Sequence, residues 1–372
     1  MKIVPKYQFV LESLEKEIVG GKYQPGHKIP SEAALVQRFK SSRITVGHAV
    51  KELVQRGLVE RRAGSGTYVC QMKSSGWLFG LLIAELGDTE IFDPVCRGMS
   101  HAPQARTNAL LWGNSMAHTS SKEDQAWQLC QQYIARKVSG VFFAPLEMTP
   151  TCDETNRKII GALAKAGIPV VLLDRDFVSY PNRSDHDLVG IDNRRAGYVL
   201  TDHLLKLGCR RICFFGRRNS APTIQARIAG FREALSAARV RTGAEFVQLG
   251  DPANASDVRK MVKSLRPEAF VCGNDRTAAD LMHTLINLGH KIPGDFRIVG
   301  IDDVKYAHLL AVPLTTVRQP CREIGEAAMT AMLERLARPE LPGRDVMLNF
   351  KLIVRKSCGA HSVQVSDLRK TS

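Results

Sequence analysis

The sequence predicts a mixed α/β chain: a small basic module of helices with one hairpin at the N-terminus, then two doubly wound lobes built on parallel sheets. Three observations carry this. The length, 372 residues, exceeds what one hydrophobic core usually supports. Positive charge is concentrated at the start: through Met72, Lys plus Arg is 12 and Asp plus Glu is 6, a surplus of +6, which leaves +9 for the remaining 300 residues. From residue 77 onward, short apolar runs alternate with amphipathic stretches, the pattern of strands covered on both faces by helices.

Composition narrows the class further. A hydrophobic share of 44% and a charged share of 24% exclude a disordered or fibrous chain. The start, MKIVPKYQFVLESLEKEI, has no apolar h-region, and no run reaches the ~18–20 apolar residues of a membrane span. A cytoplasmic protein without membrane attachment is therefore expected. The nine cysteines, from Cys70 to Cys358, form no CxxC pair and are read as small buried hydrophobes in a reducing compartment. The ten histidines form no HxxxH or HExxH pair, so neither a metal site nor a cofactor is expected.

The first seventy residues predict three helices and a hairpin. Leu11, Leu14 and Ile18 recur at helical spacing, and Gly20-Gly21 stops that helix. After a Pro25-Gly26 turn, Ser31 is placed to cap a second helix with Glu32 at its positive end. Ser41-Ser42 caps a third, whose apolar stripe is Val46, Val50, Leu53 and Val54, with Arg43, Thr45, Gly47 and His48 on other faces. Strands are expected at Val59–Arg62 and Thr67–Val69, joined by Ala63-Gly64-Ser65-Gly66. The two glycines of that turn permit positive φ and a close backbone approach to a phosphate.

The elements G-x-Y-x-P-G-x-K-I-P-S-E, S-R-I-T-V, L-x-x-x-G-L-V and R-R-x-G-S-G-T-Y-V occur in this order over about 64 residues. In this the segment resembles the winged helix-turn-helix of the GntR family. The resemblance implies that the helix opened by Ser42 enters the major groove and that the wing at Gly64–Gly66 reaches the minor groove. By position it makes Ser31, Ser42, Arg43, Thr45 and Gly64 DNA contacts. Ala33 and Gly47 stand where family members often carry basic residues, which shifts base readout toward Arg43, His48 and the wing, including Arg62, Ser65 and Gly66.

Beyond a short linker, strands are expected at Leu78–Ala84, Ala109–Trp112, Val141–Ala144, Val170–Leu173, Leu188–Ile191, Ile212–Phe215, Phe246–Leu249, Ala269–Cys272 and Ile298–Ile301. Helices fall between most of them, for example over Ala196–Leu207. The rhythm breaks between Leu173 and Leu188, where a crossing between two lobes is expected. Ligands of such sheets bind beyond the carboxyl ends of the strands. The polar residues there are Asp174-Arg175, Asn274-Asp275 and Asp302-Asp303, with Arg227 on a helix after the FFG strand and Gln319 after LTTVR. Carboxylates accept from neighbouring hydroxyls, a guanidinium donates in a planar fork, and Phe92 can cover an apolar ring face, which together suit a polyol. Asp192 and Asp275 are read as helix caps and Asp303 as a supporting residue.

The motifs I-P-V-V-L-L-D-R, V-G-I-D-N-R-R-A-G, A-R-I-A-G-F-R-E-A-L, C-G-N-D-R-T-A, I-P-G-D-F-R-I-V-G-I-D-D and P-L-T-T-V-R-Q-P make residues 77–358 resemble the LacI-type effector domain, a relative of periplasmic sugar-binding proteins. That resemblance puts effector contacts on Asp174, Arg227, Asn274, Asp302 and Gln319, and more distantly on Arg175 and Phe92. The expected organisation is a winged helix-turn-helix at 1–70, a linker at 71–76, an effector and dimerisation domain at 77–360, and a tail at 361–372. Within it, lobe 1 is expected at 77–177 plus 320–340 and lobe 2 at 178–305 plus 341–358. The implied function is a non-enzymatic repressor, similar to the arabinose repressor class, that binds a palindromic double-stranded operator as a homodimer and responds to a sugar. A sugar-binding receptor and a sugar or nucleotide enzyme remain the alternatives.

Overall fold

The computed structural model describes residues 6–360 apart from 20–21, 25, 56–57, 63, 70–75, 84–89, 103–107 and 114–120. Gly20-Gly21, Pro25, the expected linker except Gly76, and the expected tail thus lie outside the described residues. The chain divides into two compact units, Met1–Gly76 and Trp77–Ser372.

The first unit contains α1 (Lys6–Val19), α2 (Glu32–Phe39), α3 (Arg43–Gln55), β1 (Val59–Arg62) and β2 (Gly66–Val69). Its core is the stripe read from the sequence, Leu11, Leu14, Ile18, Val46, Val50 and Leu53, closed by Val10, Leu35, Ile29, Val59 and Val69. Ser31 caps α2 by accepting from Ala34 N–H at 3.2 Å. Ser42 accepts from Thr45 N–H at 3.2 Å and caps α3 in the same way. β1 and β2 pair antiparallel, with Val59 opposite Val69 and Arg62 opposite Gly66.

The second unit begins with β3 (Leu78–Ile83), α4 (Phe92–His101), β4 (Ala109–Trp112), α5 (Lys122–Ala135), β5 (Gly140–Ala144) and α6 (Cys152–Lys165). It continues with β6 (Val170–Leu173), β7 (Asp187–Ile191), α7 (Asn193–Lys206), β8 (Ile212–Gly216), α8 (Pro222–Ala237) and β9 (Val247–Leu249). Then come α9 (Ala255–Leu265), β10 (Ala269–Cys272), α10 (Asp275–Asn287), β11 (Arg297–Asp302) and β12 (Thr315–Arg318). It closes with α11 (Cys321–Ala337), β13 (Asp345–Leu348) and β14 (Lys351–Ile353). The first sheet runs β13-β7-β6-β5-β3-β4 and is parallel throughout. The second runs β14-β12-β11-β10-β8-β9, with only β14 antiparallel, to β12.

The lobe boundaries expected from the broken rhythm need correction. β7 pairs with β6 in the first sheet, so residues 178–191 do not open the second lobe. The segment 174–186 returns to a parallel neighbour without a helix, held by Asp176, whose carboxylate accepts from Val178 N–H at 3.1 Å and Ser184 N–H at 2.9 Å. A polar loop can thus replace the helix of a crossover, and its presence does not mark a change of sheet. Likewise β12 lies in the second sheet, and β13, expected in the second lobe, pairs with β7 in the first. The chain changes lobe at Asp192, at Gln319-Pro320 and at Asn349-Phe350. β12, β13 and β14 were not among the expected strands.

One helix pair on each lobe packs close to its partner through small residues. In α4 and α11 a Cβ at Gly98 would overlap the Arg322 carbonyl; in α7 and α8 one at Gly197 would overlap the Arg227 carbonyl. The second contact fixes where Arg227 enters the cleft. Eight described cysteines are free, six of them buried. Among the described residues no helix is long and apolar enough to cross a membrane.

Candidate functional site

The strand ends of the two sheets face each other across a cavity of about 600 Å³. Phe92, Asp174 and Arg175 line it from the first lobe, and Arg227, Asn274 and Asp302 from the second. Six of the seven residues singled out for an effector are thereby brought together. Gln319 is not in this wall. It lies buried at a crossing between the lobes and donates Nε2–H to Asp302 Oδ1 at 2.8 Å, so it acts on the cavity through Asp302.

Asp174 leaves β6 with φ 68°, a left-handed conformation that costs a non-glycine residue about 1 kcal/mol or more. Gly190 on β7 makes room for it: a Cβ there would stand 3.3 Å from the Asp174 main chain. One carboxylate oxygen accepts from Arg175 Nη1 at 3.0 Å, while the other is buried with no hydrogen-bond partner among the described residues. Arg175 is held from behind by Nε donation to the Pro145 carbonyl at 2.7 Å, and it lies 5.8 Å from the Phe92 ring centre.

On the opposite wall Arg227 is nearly buried. Its Nε donates to Asn193 Oδ1 at 2.8 Å and its Nη1 to the Gly273 carbonyl at 2.5 Å. Asn274 caps α10 by accepting from Thr277 N–H at 2.9 Å, the role expected of Asp275. Its side-chain amide nitrogen is left for other partners. Asp275 instead sits fully buried behind the wall, accepting from Thr316 Oγ1 at 2.6 Å and Val304 N–H at 3.1 Å. Burial pushes Asp275 up to about 8, and repulsion from Asp302 adds to it. Burial also pushes Asp302 up to about 6 against the opposing pull of Arg227 and Gln319. Asp302 and Asp303 both have positive φ, 125° and 55°. Asp303 is occupied by Arg318 at 2.5 Å and Arg355 at 2.6 Å, as a supporting residue would be, and Asp192 caps α7 through Arg195 N–H at 2.9 Å.

Glu147, Lys122, Arg217 and Tyr306 also line the cavity and were missed. Glu147 follows β5 and Arg217 follows β8, so inspecting the residues after every strand would have found both. Among the described residues no cluster of His, Cys, Asp and Glu could hold a metal ion.

In the first unit, Ser31, Ser42, Arg43, His48, Arg62, Gly64 and Ser65 are exposed, and Thr45 and Gly66 half-buried. Gly64 and Gly66 have φ of 69° and 130°, as a wing turn requires. Arg62 pairs with Glu60 at 2.6 Å and lies 4.6 Å from the Tyr68 ring centre, so it is tied to the hairpin itself. His48 sits edge-on to Tyr7 with ring centres 4.7 Å apart. Lys28 was missed: it bridges to Tyr68, and its side chain lies against Gly66.

Comparison with known proteins places these features. Residues 6–69 match the model of bacterial regulatory proteins of the gntR family, and residues 201–358 match that of the periplasmic binding protein-like domain. The chain thus carries a GntR-type helix-turn-helix domain ahead of a periplasmic-binding-protein-like domain, and in this it is similar to LacI/GntR-type transcription regulators. It is 28% identical over 371 residues to the arabinose metabolism transcriptional repressor of Geobacillus stearothermophilus, covering 96% of this chain and 98% of that one. It is 26% identical over 275 residues to the HTH-type transcriptional repressor PurR of Aliivibrio salmonicida, covering 72% and 79%. The crystal structure of transcription regulator GntR from Chromobacterium violaceum superposes with a TM-score of 0.60 at 27% identity, over 76% of this chain and 98% of that one.

Proposed function

We propose that the protein is a cytoplasmic repressor whose operator affinity is set by a sugar or closely related polyol bound between the lobes. Residues 1–70 bind the operator, 77–360 sense the effector and dimerise, and two copies place two readers on a palindromic site. Ser31, Ser42, Arg43, Thr45, His48, Arg62, Gly64, Ser65 and Gly66 form the DNA face. The observation that carries the reading is the cavity wall, in which the carboxylates of Asp174 and Asp302, the guanidinium groups of Arg175 and Arg227 and the amide of Asn274 converge beside the Phe92 ring. The unpartnered oxygen of Asp174 suits a hydroxyl donor, because a buried acceptor without a partner costs about 1–3 kcal/mol that such a donor removes. Arg175 and Arg227 keep N–H groups for ring and hydroxyl oxygens, and Phe92 covers an apolar face. The sugar-linked name of a full-length relative supports the same choice.

Because every lobe crossing is short, a ligand bound to both walls favours the closed arrangement. Closure alters the spacing of the two readers in the dimer and thus the operator affinity. The test is a thermal-shift screen of the full chain over pentoses, hexoses and sugar phosphates, followed by operator binding with and without each hit. A hit should stabilise the protein and change operator affinity by about 5–150-fold. Indifference to every carbohydrate, or stabilisation without any effect on operator affinity, would refute the reading.

A further inference from the structure

Among the described residues of the first unit three large apolar side chains are exposed: Tyr7 at 36%, Phe9 at 62% and Ile44 at 85%. Two of them have an aromatic neighbour. Tyr7 meets His48 edge-on, and Phe9 meets Phe39 with ring centres 6.4 Å apart. Ile44 stands almost wholly in solvent at the second position of α3. Val46, Val50 and Leu53 turn the opposite face of that helix into the core, so Ile44 is not needed for folding. It lies between Arg43 and Thr45 on the first turn, next to the Ser42 cap. A β-branched apolar side chain gains nothing by standing in water there, and a polar residue would hold the same helix.

We propose that Ile44 is a specificity-determining residue that packs on the C5-methyl group of a thymine in the operator. This rests on the reading that α3 enters the major groove. In that groove the thymine methyl is the apolar feature of the base edges, while the other groups are hydrogen-bond donors and acceptors. Arg43 and Thr45 supply polar partners for those groups. Ile44 supplies an apolar one, and its stiff side chain loses little freedom on contact. The contact discriminates thymine from cytosine by adding a methyl site and by offering no acceptor to the cytosine amine.

The test starts from operators selected by the full-length protein from a random duplex pool. Each thymine is then replaced in turn by deoxyuridine, which removes only the methyl group, and affinity is measured by fluorescence anisotropy at fixed salt. At one position per half-site the replacement should weaken the wild-type protein about fourfold, the effect of one buried methyl-sized group. Ile44→Ala should bind the thymine and deoxyuridine operators equally, with an unchanged melting temperature, and Ile44→Val should restore the difference. A wild-type protein indifferent to every deoxyuridine replacement, or an Ile44→Ala variant that keeps the full loss, overturns the proposal while leaving DNA recognition intact. If no site is preferred over random duplex, the DNA-reading assignment itself falls, and the role of Ile44 with it.

Discussion

The Glu147 carboxylate, in the loop after β5, accepts the main-chain N–H of Ala221, the residue that opens α8, at 2.9 Å. Its other oxygen lies 3.2 Å from Arg175 Nη1. Burial pushes the Glu147 pKa up, but the Arg175 guanidinium and the Ala221 N–H outweigh it and hold the group below the usual carboxylate range. Glu147 belongs to the first lobe and Ala221 to the second, so one carboxylate spans the cleft. Met148 N–H to the Asn219 carbonyl at 2.7 Å and Lys305 N–H to Glu90 at 3.0 Å join the same two lobes.

Removing this clasp should loosen closure. In Glu147→Ala the Ala221 N–H and Arg175 each lose a partner, and effector affinity should fall about tenfold or more, in line with ~1.5–3 kcal/mol for a hydrogen bond to a charged group. Small-angle scattering of the effector-free protein should show a larger radius of gyration. Glu147→Gln keeps an acceptor for Ala221 and should lie between. Unchanged dimensions and affinity in Glu147→Ala would show that the clasp contributes nothing.

The acidity of Asp302 sets a second expectation. Its pKa is raised to about 6 in the folded protein, so between the ordinary carboxylate value and 6 the folded state holds a proton that the unfolded chain has released. Folding stability from this group therefore declines as pH rises through that window and is flat above it. Effector binding runs the other way. A hydroxyl that donates to Asp302 favours the ionised form and expels the proton, so affinity should rise from pH 5 to pH 6.5 and level off above. Calorimetry at pH 5.5 in buffers of different ionisation enthalpy should detect proton release. A flat affinity over that range, or release that persists in Asp302→Asn, counts against Asp302.

Most of the fold was legible because period and punctuation agree with it. The apolar stripe of α3, the Ser31 and Ser42 caps and the buried run of β6 each need only neighbouring residues to be read. The edge strands were not legible: β13 (DVML) and β14 (KLI) are short, and every one of their residues is exposed or half-buried. Their pairing depends on β7 and β12, which are distant in sequence. In the site, Asp174, Asn274 and Asp302 could be found because they directly follow apolar strands. Glu147 stands three residues past β5, after Pro145 and Leu146, so it is found only when the whole loop after that strand is inspected. The division of labour between Asn274 and Asp275 was beyond sequence, since either can cap α10 and only the buried hydroxyl of Thr316 decides which turns inward.

Asp187 opens β7 and is wholly buried. It accepts from Arg335 Nε and Nη2 at 3.1 and 2.9 Å, and from Arg344 N–H and Nε at 3.1 and 3.0 Å. This one side chain fastens α11 and the approach to β13 onto the first sheet. Breaking a buried pair strands the opposite charges, so Asp187→Asn should lower unfolding free energy by about 3 kcal/mol. Trp77, Trp112 and Trp127 all lie in the second unit, so their fluorescence in a urea titration reports this unit directly. A midpoint equal to wild type would mean that the arginines find water or other partners at no loss.

Two substitutions should separate the proposed roles of the units. Arg43→Ala, at the first turn of α3, should weaken selected operators by about tenfold or more while random duplex binding changes far less, since a side chain on a base edge discriminates by ~1–3 kcal/mol. The thermal shift produced by an effector should stay as in wild type. Asp174→Asn should do the reverse, losing the effector shift while keeping operator affinity in the absence of effector. The coupling between the two sites is reciprocal, so in wild type the factor by which effector changes operator affinity must equal the factor by which operator changes effector affinity. Both can be measured by titration in either order. Unequal factors, or an Arg43→Ala protein that no longer answers to effector, would place the two functions on something other than two separate sites.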